Sequence, residues 1–212
     1  MNYIELCDVS KEIHKKVILK DINLSLEKNK VYGFVGRNGC GKTMLFRAIC
    51  GLINTTGSIT VNGKVIGKDI SSPENLGLII ENVGLWPDLN CMESLTVLAN
   101  LNKKIGKAEI ASSISKVGLD PNDKRPFRKY SLGMKQRLVI AQAIMEKPEL
   151  IILDEPTNAL DENGVSLLRE IVLDEKKRGA TILIASHNAE DIKLLCDEIF
   201  HMQDGCIVKA NQ

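Results

Sequence analysis

Eight consecutive residues, Gly36-Arg37-Asn38-Gly39-Cys40-Gly41-Lys42-Thr43, carry the residue types and spacing of a phosphate cradle. Glycines at these places let the backbone turn until successive N–H groups converge on phosphate oxygens. Lys42 supplies a positive charge to the β- and γ-phosphates of a nucleoside triphosphate such as ATP, and the Thr43 hydroxyl is placed to ligate Mg²⁺. A helix opening at Lys42 adds the positive end of its dipole. Cys40 reads first as a small residue that fits the loop. Lys42 and the backbone dipoles would also favour its thiolate, so alkylation there is expected to inactivate the protein, with MgATP protecting.

A second group lies more than a hundred residues on. The apolar stretch 150–153 runs into two adjacent acids, Asp154 and Glu155. Asp154 suits a magnesium role, directly or through water. Glu155 suits polarisation of an attacking water. Two acids at a strand end would ordinarily just meet solvent; a phosphate loop upstream, in the right chain order, turns them into candidate hydrolysis residues.

These groups need a scaffold that brings residues 36–43 to residues 154–155. Residues 3–9 and 17–26 alternate in polarity, and 58–66 carries Asn62-Gly63 between two β-prone runs, a hairpin signal. Short apolar runs at 31–35 and 76–80 fit buried strands. Helical spacing follows at 92–101, 109–117 and 134–145. Beyond residue 150, strands at 151–153 and 181–185 alternate with helices at 162–177 and 189–196, and a closing hairpin turns at Asp204-Gly205. The expected fold is α/β: a P-loop core with a mixed, mostly parallel sheet, an N-terminal antiparallel β subdomain and an inserted helical subdomain. One domain is expected over 1–212, with 1–81 and 146–212 forming the core and its β subdomain, and 82–145 the helical part.

Composition sets outer limits. Of 212 residues 44% are hydrophobic, enough for a substantial core, and 28 Lys and Arg nearly balance 27 Asp and Glu. No basic field points to nucleic acid. Six cysteines are scattered without a CxxC pair, as in a reduced, cytosolic protein. The N-terminal residues lack the pattern of a signal peptide, and no apolar run reaches the ~18 residues of a membrane span.

Between the phosphate loop and the acidic pair stands Tyr130-Ser131-Leu132-Gly133-Met134-Lys135-Gln136-Arg137. It resembles the signature of ATP-binding-cassette (ABC) proteins, written LSGGQ with following basic and Gln residues, at Ser131, Gly133, Gln136 and Arg137. It departs from it at Tyr130, Leu132 and Met134. A hydroxyl, an approachable backbone and a helix start at about Met134 together make an anion site. The resemblance extends over nearly the whole chain: Ala159-Leu160-Asp161 is similar to the family's D-loop, and His187 to its switch histidine, which reads the γ-phosphate and helps hold Glu155 and water. It implies an ATPase motor in which Ser131 and Gly133 face the ATP of a second subunit, as a homodimer or pseudo-dimer. It also implies an integral-membrane permease as partner and a place at the inner face of the cell membrane.

Two departures narrow the resemblance. Where typical members carry a metal-contacting Gln, this chain has Glu81, a hard oxygen ligand that brings a further negative charge. With residues 84–89 and the signature, it resembles bacterial bacitracin- and lantibiotic-type exporters. Leu85 and Trp86 would either be exposed anchors for a permease helix or pack locally beneath the helical subdomain. Where members stack adenine on an aromatic ring, alignment places Ile13 beside His14; loss of a stacking contact, about 1–3 kcal/mol in nucleic-acid cases, implies weaker base selectivity. The competing class is a soluble ABC ATPase with an assembly role and no transport.

Overall fold

The structure, a computed structural model, describes residues 2–80, 84–187 and 189–211. Two sheets form. The first has the order β2-β1-β4-β5, with β1 Asn2–Ile13, β2 Lys16–Glu27, β4 Thr56–Val61 and β5 Lys64–Val65, all antiparallel. Its tight turns fall at His14-Lys15 and at Asn62-Gly63, all four residues at positive φ, as two-residue hairpins require. The second sheet has the order β10-β9-β3-β8-β7-β6, from β3 Val31–Val35, β6 Leu76–Ile79, β7 Leu150–Asp154, β8 Thr181–Ser186, β9 Glu198–Gln203 and β10 Cys206–Asn211. Five of its strands run parallel, and β10 closes the edge antiparallel to β9.

The central strands are buried on both faces, which is why they read as unbroken apolar runs. Their period-2 alternation divides the core. Leu150 and Ile152 of β7 and Leu183 and Ala185 of β8 join the cluster under the first sheet. There Leu45, Phe46 and Ile49 of α1 (Lys42–Ile49) also pack. Ile151, Leu153, Ile182 and Ile184 point the other way, towards α2 Cys91–Asn102, α3 Lys107–Lys116, α4 Leu132–Ile144 and α5 Glu162–Lys177. Phe34 meets Phe46 edge-on and stacks on Phe200, both at 5.3 Å. These rings seat α1 against the strands on either side of the phosphate loop. A short α6, Ala189–Leu195, precedes β9.

One local expectation is corrected and one open alternative is decided. The signature helix starts at Leu132, not near Met134, because Ser131 stays extended and its hydroxyl accepts the Met134 N–H at 3.2 Å as N-cap. Leu85 is not an exposed anchor: it is 7% exposed and packs with the helices, whereas Trp86 beside it is 43% exposed.

Gly77 of β6 shows how closely sheet and helices approach. A Cβ there would lie 2.0 Å from the Ala143 carbonyl oxygen and 2.8 Å from Pro148 Cγ. Backbone cannot yield as a side-chain tip can. Gly77→Ala is therefore expected to cost at least about 1–3 kcal/mol, read as a lower urea midpoint at unchanged slope.

Asp197 ties the start of β3 to the end of α5. Its carboxylate accepts the Val31 N–H at 2.8 Å and the Lys176 ammonium at 2.5 Å, while Asp197 N–H donates to the Val31 carbonyl. Partial burial works against the ionised form. Lys176 and the Val31 N–H outweigh it and hold the carboxyl below its ordinary value of 3.8. A depressed folded-state value means the unfolded chain binds more protons, so this stabilisation is present above the ordinary value and is lost as pH falls through the folded one. Asp197→Asn is expected to lower the unfolding temperature at pH 7, with the difference from the unsubstituted protein shrinking below about pH 4.

Candidate active site

β3 delivers the chain into the phosphate loop, and α1 begins at Lys42. Gly41, the residue before the helix, sits at φ 113°, a conformation that side chains rarely adopt. Gly36 is needed for space: a Cβ would lie 2.4 Å from the Met202 carbonyl oxygen and 2.6 Å from Cys40 Sγ. The turn between β9 and β10 braces the loop from outside, since Gly205 N–H donates to the Cys40 carbonyl and Lys20 N–H to the Gly205 carbonyl. Arg37, Asn38 and Gly39 are exposed along the loop. Cys40 is 8% exposed and packs into the core, the arrangement of a small fitting residue.

Lys42 is 6% exposed, so its ammonium must be compensated within the protein. It donates to the Gly36 carbonyl at 2.7 Å and the Arg37 carbonyl at 3.4 Å, and lies 3.8 Å from Glu155 Oε1. One step along the helix, the Thr43 hydroxyl donates to Asp154 Oδ2 at 2.5 Å. A hydroxyl and a carboxylate oxygen side by side are hard donors of the kind Mg²⁺ takes, completed by phosphates and water.

Glu155 lies just past β7, at φ 50°, a left-handed backbone for a residue with a side chain. Its N–H donates to the Ala185 carbonyl of β8, which fixes it to the neighbouring strand. Glu155 Oε2 is 2.7 Å from His187 Nδ1 and accepts the His187 N–H at 3.3 Å. An ionised carboxylate can only accept, so Nδ1 is the donor in this pairing. Lys42, Thr43, Asp154, Glu155 and His187, drawn from helix α1 and the ends of the parallel strands β7 and β8, are thus brought together.

Other residues of interest lie elsewhere. Ser131 and Gly133 line a separate cleft of about 560 Å³ with Met134, Arg137, Ala159 and Asp161, and no residue of the phosphate loop lines it. Ile13 is at the end of β1 beside the hairpin turn, 37% exposed and opposite Lys16; further along β2, the Ile18 carbonyl lies against Gly41. Glu81 lies outside the described residues.

Two contacts were not legible in the sequence. The Gln136 side chain donates to the Pro156 carbonyl at 2.9 Å, and Arg137 pairs with Asp161 at 2.9 Å. Asp161 is the N-cap of α5; the Gly164 N–H and Arg137 hold its carboxyl below its usual value. Spacing along the chain carries no signal for partners 20 and 24 residues apart.

A P-loop feeding a helix, with a histidine just past the neighbouring parallel strand and an acidic pair at the end of the next, defines a P-loop nucleoside triphosphatase. The ABC transporter family matches residues 19–158. YybJ of Bacillus subtilis (strain 168), named as an uncharacterized ABC transporter ATP-binding protein, is 50% identical over 203 residues, 95% of this chain and 93% of its own. The lantibiotic transport ATP-binding protein SrtF of Streptococcus pyogenes is 36% identical, over 97% of this chain and 89% of its own. The bacitracin transport ATP-binding protein BcrA of Enterococcus faecalis is 37% identical, over 97% and 68%. Among solved structures, an ATP-binding subunit of an ABC transporter superposes with a TM-score of 0.89 at 24% identity, covering 99% of this chain and 90% of that one. The chain belongs to the ABC transporter family, as an ATP-binding protein and ATPase. Among the described residues no helix is long and apolar enough to cross a membrane.

Proposed function

We propose that the chain is the motor subunit of an exporter for an antibiotic peptide or related drug, working at the cytoplasmic face of the membrane with a separate permease. The observation that carries the hydrolytic assignment is the Lys42–Glu155–His187 array beside the Thr43–Asp154 pair. In this reading the residues 36–43 and the α1 N-terminus bind the triphosphate, with Lys42 turning from the loop carbonyls to the β- and γ-phosphates. Thr43 and Asp154 hold Mg²⁺, which when bound neutralises charge on the phosphate oxygens; Glu81 is a further candidate ligand. Glu155 accepts a hydrogen bond from the attacking water, and His187 holds Glu155 through Nδ1.

The separate cleft at Ser131 and Gly133 supports a head-to-tail dimer, in which these residues complete the site of a second copy or a related subunit. Residues 82–145 would then move as an arm against the core formed by 1–81 and 146–212. Exposed Trp86 suits contact with the permease. Ile13 supplies only an apolar edge near the expected base position. The export role is supported by the lantibiotic and bacitracin transport proteins among the relatives.

Recovery from solubilised membranes tests this reading. An integral membrane protein is expected to co-purify with the tagged chain, and deletion of the chain to raise sensitivity to a peptide antibiotic. Recovery only with soluble partners, and unchanged sensitivity, would favour the assembly class.

A further inference from the structure

Glu155 stands in a left-handed conformation, φ 50°, which costs a residue with a Cβ of order 1–3 kcal/mol and persists only where neighbours hold it. On its N-terminal side the hold is clear: Glu155 N–H donates to Ala185 of β8 at 2.8 Å. On the C-terminal side comes Pro156, which has no N–H to give. The only hydrogen-bonding backbone group of residue 156 is its carbonyl, and the Gln136 side chain, from the first turns of α4, donates to it at 2.9 Å.

The rest of the segment is also fastened to α4. A Cβ on Gly133 would lie 3.1 Å from the Ala159 carbonyl oxygen, so the two backbones are close-packed there. Arg137 pairs with Asp161 at the segment's end. Within it, Asn158 N–H donates to the Glu155 carbonyl and Leu160 N–H to that of Thr157, which makes it a pair of consecutive turns. Three residues in the first two turns of α4, Gly133, Gln136 and Arg137, thus hold residues 156–161 at start, middle and end.

We infer that Gln136 is a positioning residue for Glu155: through the Pro156 carbonyl it fixes the backbone from which the water-polarising carboxylate projects. The inference rests on the role of Glu155 proposed above. It makes the signature helix part of the hydrolytic site of its own chain, so that a displacement at Ser131 reaches Glu155 through a side chain–backbone hydrogen bond.

Gln136→Met tests this, because methionine keeps an unbranched helix-forming side chain of similar length and removes the donor. Misplacement of a reacting group by about 1 Å can cost 10²-fold. At saturating ATP the variant is expected to lose about 10- to 100-fold in kcat, with KM and nucleotide affinity within about 2-fold and an unfolding temperature close to that of the unsubstituted chain. Placed in a Glu155→Gln background it is expected to cause no further loss, since the group it positions is already gone. Full kcat in Gln136→Met, with Glu155→Gln inactive, would overturn the inference and leave the Glu155 reading intact. So would a loss that adds fully to that of Glu155→Gln, or one that appears equally in stability, KM and kcat. Hydrolysis at the normal rate by Glu155→Gln itself would remove both.

Discussion

Glu155→Gln is expected to lower the rate of ATP hydrolysis by about 10²–10⁴-fold, the range of a lost general base, while ATP still binds. The amide retains an oxygen that can accept from His187 Nδ1, now 2.7 Å from the carboxylate, so local geometry should survive. What disappears is the charge that draws a proton from water. Binding should be preserved, or strengthened, because the substitution also removes the negative charge 3.8 Å from the Lys42 ammonium. Single-turnover phosphate release beside a nucleotide titration separates the two effects. A rate within about 10-fold of the original would take the proton-accepting role away from Glu155.

Lys42→Ala is expected to act first on binding. Hydrogen bonds to charged groups contribute about 1.5–3 kcal/mol, which corresponds to roughly 10- to 200-fold in ATP affinity. The loss falls on both sides of the encounter. The phosphates lose their cation, and Glu155 is left as a carboxylate facing an incoming polyanion. Gly36 and Arg37 also lose the donor that now satisfies their carbonyls at 2.7 and 3.4 Å. Equilibrium titration with a nucleotide at fixed Mg²⁺ measures the effect. Affinity within about 2-fold of the original would mean that the loop does not hold the phosphates as assigned.

These two substitutions act on residues that the chain announces locally. The glycine spacing ahead of Lys42-Thr43, and an apolar run stopping at Asp154-Glu155, are short-range patterns set by backbone conformation and by strand burial. The strand and helix order is legible for the same reason: β7 and β8 are buried throughout and mostly apolar because helices or another sheet cover both faces. His187 was found through chain order and resemblance; a lone histidine at a strand end has no pattern of its own. α4 begins two residues before the expected point because Ser131 caps it, leaving Leu132 and Gly133 already in the helix. Leu85 could be read either way because an apolar residue in a loop gives no sign of which neighbour covers it.

The sequence by itself determined the phosphate loop, the acidic pair and the α/β order of elements, since each depends on contacts or conformations within a few residues. Only the tertiary structure decided that Thr43 meets Asp154, 111 residues away, and that Glu155 is gripped between Lys42 and His187. It also decided that Ser131 opens onto a cleft apart from the loop, and that Gln136 reaches the carbonyl beyond Glu155. The physical reason is common to all of them. Parallel strands place their C-terminal ends side by side however far apart they are in the chain, and side chains find partners there that no period in the sequence encodes.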